Sequence, residues 1–160
     1  MSVQFIGQGG HSHVLRDICE QFGIKIVEKS IEKVLAFGAL TPEKLEERYN
    51  QEQAGNIYPC LIHHTAWISD KTSIGRGTQI LANAVINSSA RIGAFCIINT
   101  GAIIEHDARI GDGCHIAPGA IVLGDAKVGK FCFVGAGAIV IQGNVVPDRT
   151  FVKAGSVWKS

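Results

Sequence analysis

The chain has 160 residues, 46% of them hydrophobic and 18% charged, with a formal net charge of +1. That composition excludes a disordered chain. The near-neutral charge, with no basic run, excludes an electrostatic grip on nucleic acid, and no apolar stretch approaches the ~20 residues of a membrane span.

Met1–Gly7 lacks the basic region and cleavage site of a secretory leader, so a cytoplasmic protein is expected. Val3–Ile6 reads as a buried strand, and Gly7-Gln8-Gly9-Gly10-His11 as a glycine-rich turn. Ser12 is the expected N-cap of a helix through Val14, Leu15, Ile18 and Phe22, stopped by Gly23. Ile24–Val27 and Val34–Phe37 read as further strands, and Thr41-Pro42-Glu43 opens a second helix with Pro42 in its first position. Residues 1–57 therefore form a small α/β unit, a shortened half of a Rossmann-like nucleotide-binding fold. A glycine turn between strand and helix lets backbone N–H groups approach a phosphate. That makes Gly7, Gly9, Gly10 and His11 candidate nucleotide-binding residues, with Glu28 as a candidate ribose partner. A tight βα turn with no ligand fits the same residues.

From Ile62 every sixth residue is Ile or Val, sixteen positions in succession to Val152. A second column, two residues earlier, is small throughout, mostly Ala with Thr, Cys and Asn. A period of six does not fit a helix; it fits short strands joined by tight corners. Ile-Gly at 74–75, 92–93 and 110–111, continued by Val128-Gly129, recurs every 18 residues. One coil is thus three hexapeptides, and residues 18 apart stack on rungs about 4.8 Å apart. Residues 58–160 should form a parallel β-helix of roughly five coils. Its ends expose unpaired edges and need covers, for which the N-terminal segment and the tail with Trp158 are candidates. Three of the five cysteines (Cys96, Cys114 and Cys132, beside Cys19 and Cys60) follow the 18-residue stacking. No C-x-x-C pair is present, so they read as small buried thiols.

Ile98-Asn99-Thr100-Gly101-Ala102-Ile103-Ile104-Glu105-His106-Asp107, then His115-Ile116-Ala117-Pro118-Gly119-Ala120, with the Gly7–His11 turn, resemble one family. It is the sialic-acid O-acetyltransferase and nucleotide-aminosugar N-acetyltransferase family of left-handed β-helix, hexapeptide-repeat acyltransferases. The resemblance covers nearly the whole chain. It implies the left hand of the helix, acetyl-CoA as co-substrate with no metal, and a homotrimer with sites between subunits. It also implies a nucleotide-linked amino sugar acceptor, in the building of surface polysaccharide or another glycan. It further implies His106 as general base, Asp107 as its orienting acid and the Gly124 N–H as oxyanion donor. His115, Gly135, Ala136, Lys153 and Ala154 would lie along acetyl-CoA. The chain departs from the family pattern in its short N-terminal unit, in the absence of an acidic pair after the second strand, and in a tail without the customary proline.

The chemistry supports these roles independently. Acetyl transfer needs a base, an oxyanion donor and close placement of two reactants. His106 falls on a corner between two carboxylates, and Gly124 stacks one rung away from it. His115, half a coil on, should lie over ~10 Å from His106 within one subunit and join it only across a subunit boundary. His115 also reads as an ordinary corner residue, and His63-His64 as a solvated edge. An N-acetyltransferase of a 4-amino sugar is the reading adopted; serine, maltose or a free aminoglycoside fits the nucleotide-binding turn less well. O-acetylation of sialic acid or another sugar and a non-catalytic scaffold are the alternatives. A γ-class carbonic anhydrase would need histidines on stacked rungs, which the spacing does not provide.

Overall fold

The computed structural model describes residues 1–30, 32–36, 38, 40–52 and 54–159. Its N-terminal part runs β1 (Ser2–Ile6), α1 (Gly10–Gln21), β2 (Lys25–Ile26), β3 (Lys33–Leu35) and α2 (Pro42–Tyr49). The three strands form one parallel sheet in the order β2-β1-β3. Val3, Leu15, Ile18, Cys19 and Val34 form its core, which is shared with Leu61 and Leu81 of the repeat region.

Three expectations for this part need correction. Helix α1 is capped by Gly9, not Ser12. Gly9 has φ +150°, a conformation that glycine adopts freely. Ser12 is already the third helical residue, and its hydroxyl accepts from Gly9 N (3.2 Å) and donates to Gly9 O (2.7 Å). The second and third strands are shorter than Ile24–Val27 and Val34–Phe37, because each pairs only with part of β1; Phe37 lies outside the described residues. The second helix starts as expected at Pro42, with the Thr41 hydroxyl accepting from Lys44 N.

Residues 61–158 wind into a parallel solenoid with three faces, two of six strands and one of five. Every strand is two residues long, and each residue pairs with that 18 positions away, as in Ile97↔His115 and Ile103↔Ile121. The aliphatic column fills the interior from Ile80 to Val152. The small column points inward too: Ala84, Ala90, Cys96, Ala102, Ala108 and Cys114 are fully buried. In the crowded interior Cys96, Cys114 and Cys132 each place Sγ within 2.9–3.2 Å of a carbonyl 15 residues on.

A further six-residue column becomes visible only in the backbone. Positions 77, 83, 89 and onward to 155 have positive φ, glycine at some and Asn83, Phe95, Asp107, Asp125 and Phe131 at others. This left-handed residue closes each tight corner.

The N-terminal part does not cover an end of the solenoid. It lies along the first face, whose outward residues are Leu61, Gln79, Ile97, His115, Phe133 and Phe151. Leu45 packs on Ala117, Phe131 and Phe133, and Tyr49 sits edge-on between Phe95 and Phe131, with both centroids 5.4 Å away. Buried Arg48 pins α2 there by donating to the carbonyls of Phe95 and Leu35. Burial draws its pKa down to about 10. The tail forms the last rung, where Trp158 continues the inward column and donates to Val145 O (3.1 Å). The second face turns Trp67, Val85, Ile103, Ile121, Ile139 and Val157 outward. The third carries Arg91, Arg109 and Lys127. No helix among the described residues is long and apolar enough to cross a membrane.

Candidate active site

His106 occupies the corner between the second and third faces. Its Nδ1 lies 3.0 Å from Asp107 Oδ2. Asp107 is held in the left-handed conformation of the turn, φ +62°, which swings its carboxylate back to the preceding ring. With Nδ1–H donating to a carboxylate, Nε2 carries the lone pair. That hydrogen bond raises the His106 pKa, opposed by desolvation and helped by the charges of Asp107, Glu105 and Asp125. Glu105 is held in turn: its Oε2 accepts from Asn87 Nδ2 on the rung below (3.0 Å) and from His106 N (3.3 Å).

The imidazole lies across Gly124. A Cβ on Gly124 would stand 2.8 Å from both Cε1 and Nε2 of the ring. The second residue of each corner has no ladder partner for its N–H. Oxygens of Asp112, Asn99 and Asp148 take it at Ala94, Thr100 and Lys130. Among the described residues none takes that of Gly124, the residue whose Cβ position the ring covers. Gly124→Ala should therefore displace the exposed ring and leave the backbone in place. We expect kcat to fall about tenfold to a hundredfold through misplacement of the imidazole, with Tm within about 2 °C of wild type, read by steady-state kinetics and thermal unfolding.

His115 is not a corner residue. It lies in a strand on the first face and is only 4% exposed, under the N-terminal part. Its Nε2 is 3.0 Å from Asn99 Nδ2. These two residues, with Gly10, His11, Val14, Gly38, Leu40 and Leu81, line a cleft of about 340 Å³. His11 Nε2 is 2.7 Å from Gln79 Oε1, and Gln79 Nε2 donates to Leu35 O (2.8 Å). Burial lowers the His11 pKa, against the opposing pull of the Gln79 bond. Gln79 escaped the sequence reading, and Asn99 entered it only as part of the Ile98–Asp107 stretch, without a role of its own. The signal was positional: Gln79 interrupts an outward column otherwise dominated by apolar residues.

The four glycine-turn candidates do not share one site. Gly10 and His11 join His115, whereas Gly7 lines a second cleft of about 270 Å³ with Gln8, Arg16 and Glu28. Gly9 caps α1. Gly135 and Ala136 stack under Lys153 and Ala154 at the corner between the first and second faces; a Cβ on Gly135 would stand 2.5 Å from Ala154 N. His63 and His64 stack on each other (centroids 4.5 Å apart), and His64 bonds Gln21. No group of three or more His, Cys, Asp or Glu side chains among the described residues could hold a metal ion.

Residues 107–142 match the family described as Bacterial transferase hexapeptide (six repeats). The whole chain is similar to the acetyltransferase domain of PglB from Neisseria gonorrhoeae FA1090, with 25% identity, 99% of this chain and 91% of that chain covered, and a TM-score of 0.91. The complex of that domain with acetyl coenzyme A gives 24% identity, 99% and 90% coverage and a TM-score of 0.89. A mutant of GDP-perosamine N-acetyl transferase from Caulobacter crescentus, in complex with CoA and GDP-perosamine, gives 26% identity, 99% and 89% coverage and a TM-score of 0.89. None of the curated proteins matches the sequence. The repeat and these likenesses define a hexapeptide-repeat acyltransferase. Over nearly its whole length the chain is similar in fold to these acetyltransferases.

Proposed function

We propose that this protein transfers the acetyl group of acetyl-CoA to the amino group of a nucleotide-linked 4-amino sugar. The observation that carries this reading is His106, oriented by Asp107 and lying across Gly124, whose N–H has no partner among the described residues. His106 Nε2 takes the proton of the amine as its nitrogen attacks the thioester carbon. The Gly124 N–H donates to the oxygen that becomes negative. Collapse expels CoA as the thiolate and leaves the amide. Such an arrangement has no purpose in a scaffold. The ligands of the two solved relatives, acetyl coenzyme A for one and CoA with GDP-perosamine for the other, support both reactants.

We further infer a homotrimer of left-handed β-helices. The outward apolar column of the second face is the expected contact, since it runs the full height of the solenoid beside the His106 corner. Threefold packing on that face brings the His106 corner of one subunit against the neighbour's other corner, which carries Gly135, Ala136, Lys153 and Ala154. The neighbour's His115 and Asn99 lie beside that corner. That groove would hold acetyl-CoA. The α/β unit of residues 1–57 would then present the acceptor, with its nucleotide in the cleft of Gly7 and Glu28 at the ends of parallel strands, while residues 58–160 carry the transferase site. Free cysteines throughout fit the reducing cytoplasm. Ile121→Asp should place a charge in the subunit contact. The expected result is a monomer by sedimentation velocity with at least a tenfold loss of kcat; a fully active monomer would sink the intersubunit site.

The test of the reaction is release of CoA thiol from acetyl-CoA with UDP-, GDP- and dTDP-linked 4-amino sugars, and mass spectrometry of the product. Turnover with one acceptor to an amide is expected. An ester product would move the reading to O-acetylation, and acetyl-CoA binding without turnover on any acceptor would refute the substrate class.

A further inference from the structure

The outward column of the third face runs Ser73, Arg91, Arg109, Lys127 and Val145. Arg109 pairs in register with Arg91 on one side and Lys127 on the other, so three cations stand on consecutive rungs over about 9.6 Å. All three are exposed, and like charges directly across a ladder repel. Among the described residues none of the three has an ion pair or a side-chain hydrogen bond. The cations of the adjoining corner differ: Arg76, Lys130 and Arg149 are paired with Glu52, Asp112 and Glu46. Folding alone does not account for an unpaired cationic column.

Its position does. Arg91 and Arg109 line one hollow of about 520 Å³ with Ser89, Asp107 and Asp125, and Asp107 is the carboxylate that holds His106. Arg109 follows His106 by three residues and Lys127 follows Gly124 by three, so these cations stand on the two rungs that the imidazole bridges. Lys127 joins both arginines along a second groove of about 410 Å³. The carboxylates therefore lie at the end nearest the base and the cations on the open face. A molecule with an amine at one end and phosphate at the other matches that order of charge.

We propose that Arg91, Arg109 and Lys127 bind the diphosphate of the acceptor while its amine lies at His106. The inference rests on the transferase reading above, and adds the residues that select a phosphate-bearing acceptor over a free sugar. Guanidinium forks match phosphate oxygens bidentately, and cations about 4.8 Å apart suit two adjacent phosphates. In the trimer proposed above, the third face of one subunit and the neighbour's first face, with its α/β unit, are the walls of one groove. The diphosphate then bridges a nucleotide in the neighbour's cleft of Gly7 and Glu28 and a sugar at His106. An anionic membrane does not fit the column, because three such columns on the sides of a trimer cannot face one plane.

The experiment measures KM for the acceptor that turns over, KM for acetyl-CoA, and calorimetric binding of inorganic pyrophosphate. Arg109→Gln and Lys127→Gln should each raise the acceptor KM about tenfold and weaken pyrophosphate in parallel, and Arg109→Lys should recover part of the loss. Lys44→Gln, which removes an exposed cation of α2, controls for general electrostatics and should move neither. An acceptor KM unmoved by both glutamine variants, a rise confined to acetyl-CoA, or an equal rise in Lys44→Gln would overturn the proposal and leave the reaction standing. If no acceptor turns over, pyrophosphate binding that is lost in Arg109→Gln would keep the anion site and reject the reaction. Wild type that binds no pyrophosphate and turns over no acceptor would reject both.

Discussion

His106→Ala is expected to lower kcat by ~10²- to 10⁴-fold, the usual contribution of a positioned general base, while acetyl-CoA still binds. The pH profile carries a sharper test. The base must be neutral to accept a proton, so activity falls as pH drops through its pKa. The hydrogen bond that the ring donates to Asp107 favours the protonated imidazole and raises that pKa above the ordinary histidine value. The acid limb of kcat/KM should therefore lie at higher pH than for an unassisted imidazole. Asp107→Asn removes the charge, lowers the pKa and moves the acid limb to lower pH. It also lowers the plateau, because the amide no longer secures the Nδ1–H tautomer. An acid limb that stays in place in Asp107→Asn, or moves upward, would remove Asp107 from the site.

The two columns that define the solenoid could be read from the sequence because each coil repeats the same steric demand. A core wide enough for one aliphatic per side accepts only Ile or Val at Ile80, Ile86 and Ile92, and only small residues at Ala84, Ala90 and Cys96. His106 and Gly124 could be found together because the 18-residue coil turns sequence distance into stacking. The column of left-handed turn residues could not, since Asn83, Phe95, Asp107 and Phe131 share a backbone angle and no chemistry. At Phe95 and Phe131 the unfavourable φ is retained because those rings enclose Tyr49 and dock α2.

The placement of the N-terminal part was equally out of reach. Nothing local says that Leu45 will meet Phe133, or that His11 and His115 will share a cleft, because those contacts join segments over 80 residues apart. The cap of α1 was misread for a similar reason. A serine before an apolar run is a good local signal, but Gly9 can take φ +150° and start the helix earlier.

The largest expected loss of stability comes from a methyl group at Gly111, on the corner between the third and first faces. In Gly111→Ala the new Cβ would stand 2.7 Å from the carbonyl carbon of Gly129 and 2.8 Å from Lys130 N. Both are backbone atoms of the next rung, so no side chain can swing away. Relief requires parting two rungs, and Gly111 N donates to Val128 O at 2.8 Å across that gap. Overpacking of this kind costs about 3 kcal/mol, which for a chain of this size lowers Tm by about 6–12 °C. Gly101→Ala is the control. Gly101 has φ +65° and no atom within 4 Å of its Cβ position, so it should show only the conformational cost, ~1–2 kcal/mol. Thermal unfolding of the two variants separates close rung packing from backbone conformation. If Gly101→Ala melts lower than Gly111→Ala, the Ile-Gly column is conserved in this chain's repeat for a reason other than space between rungs.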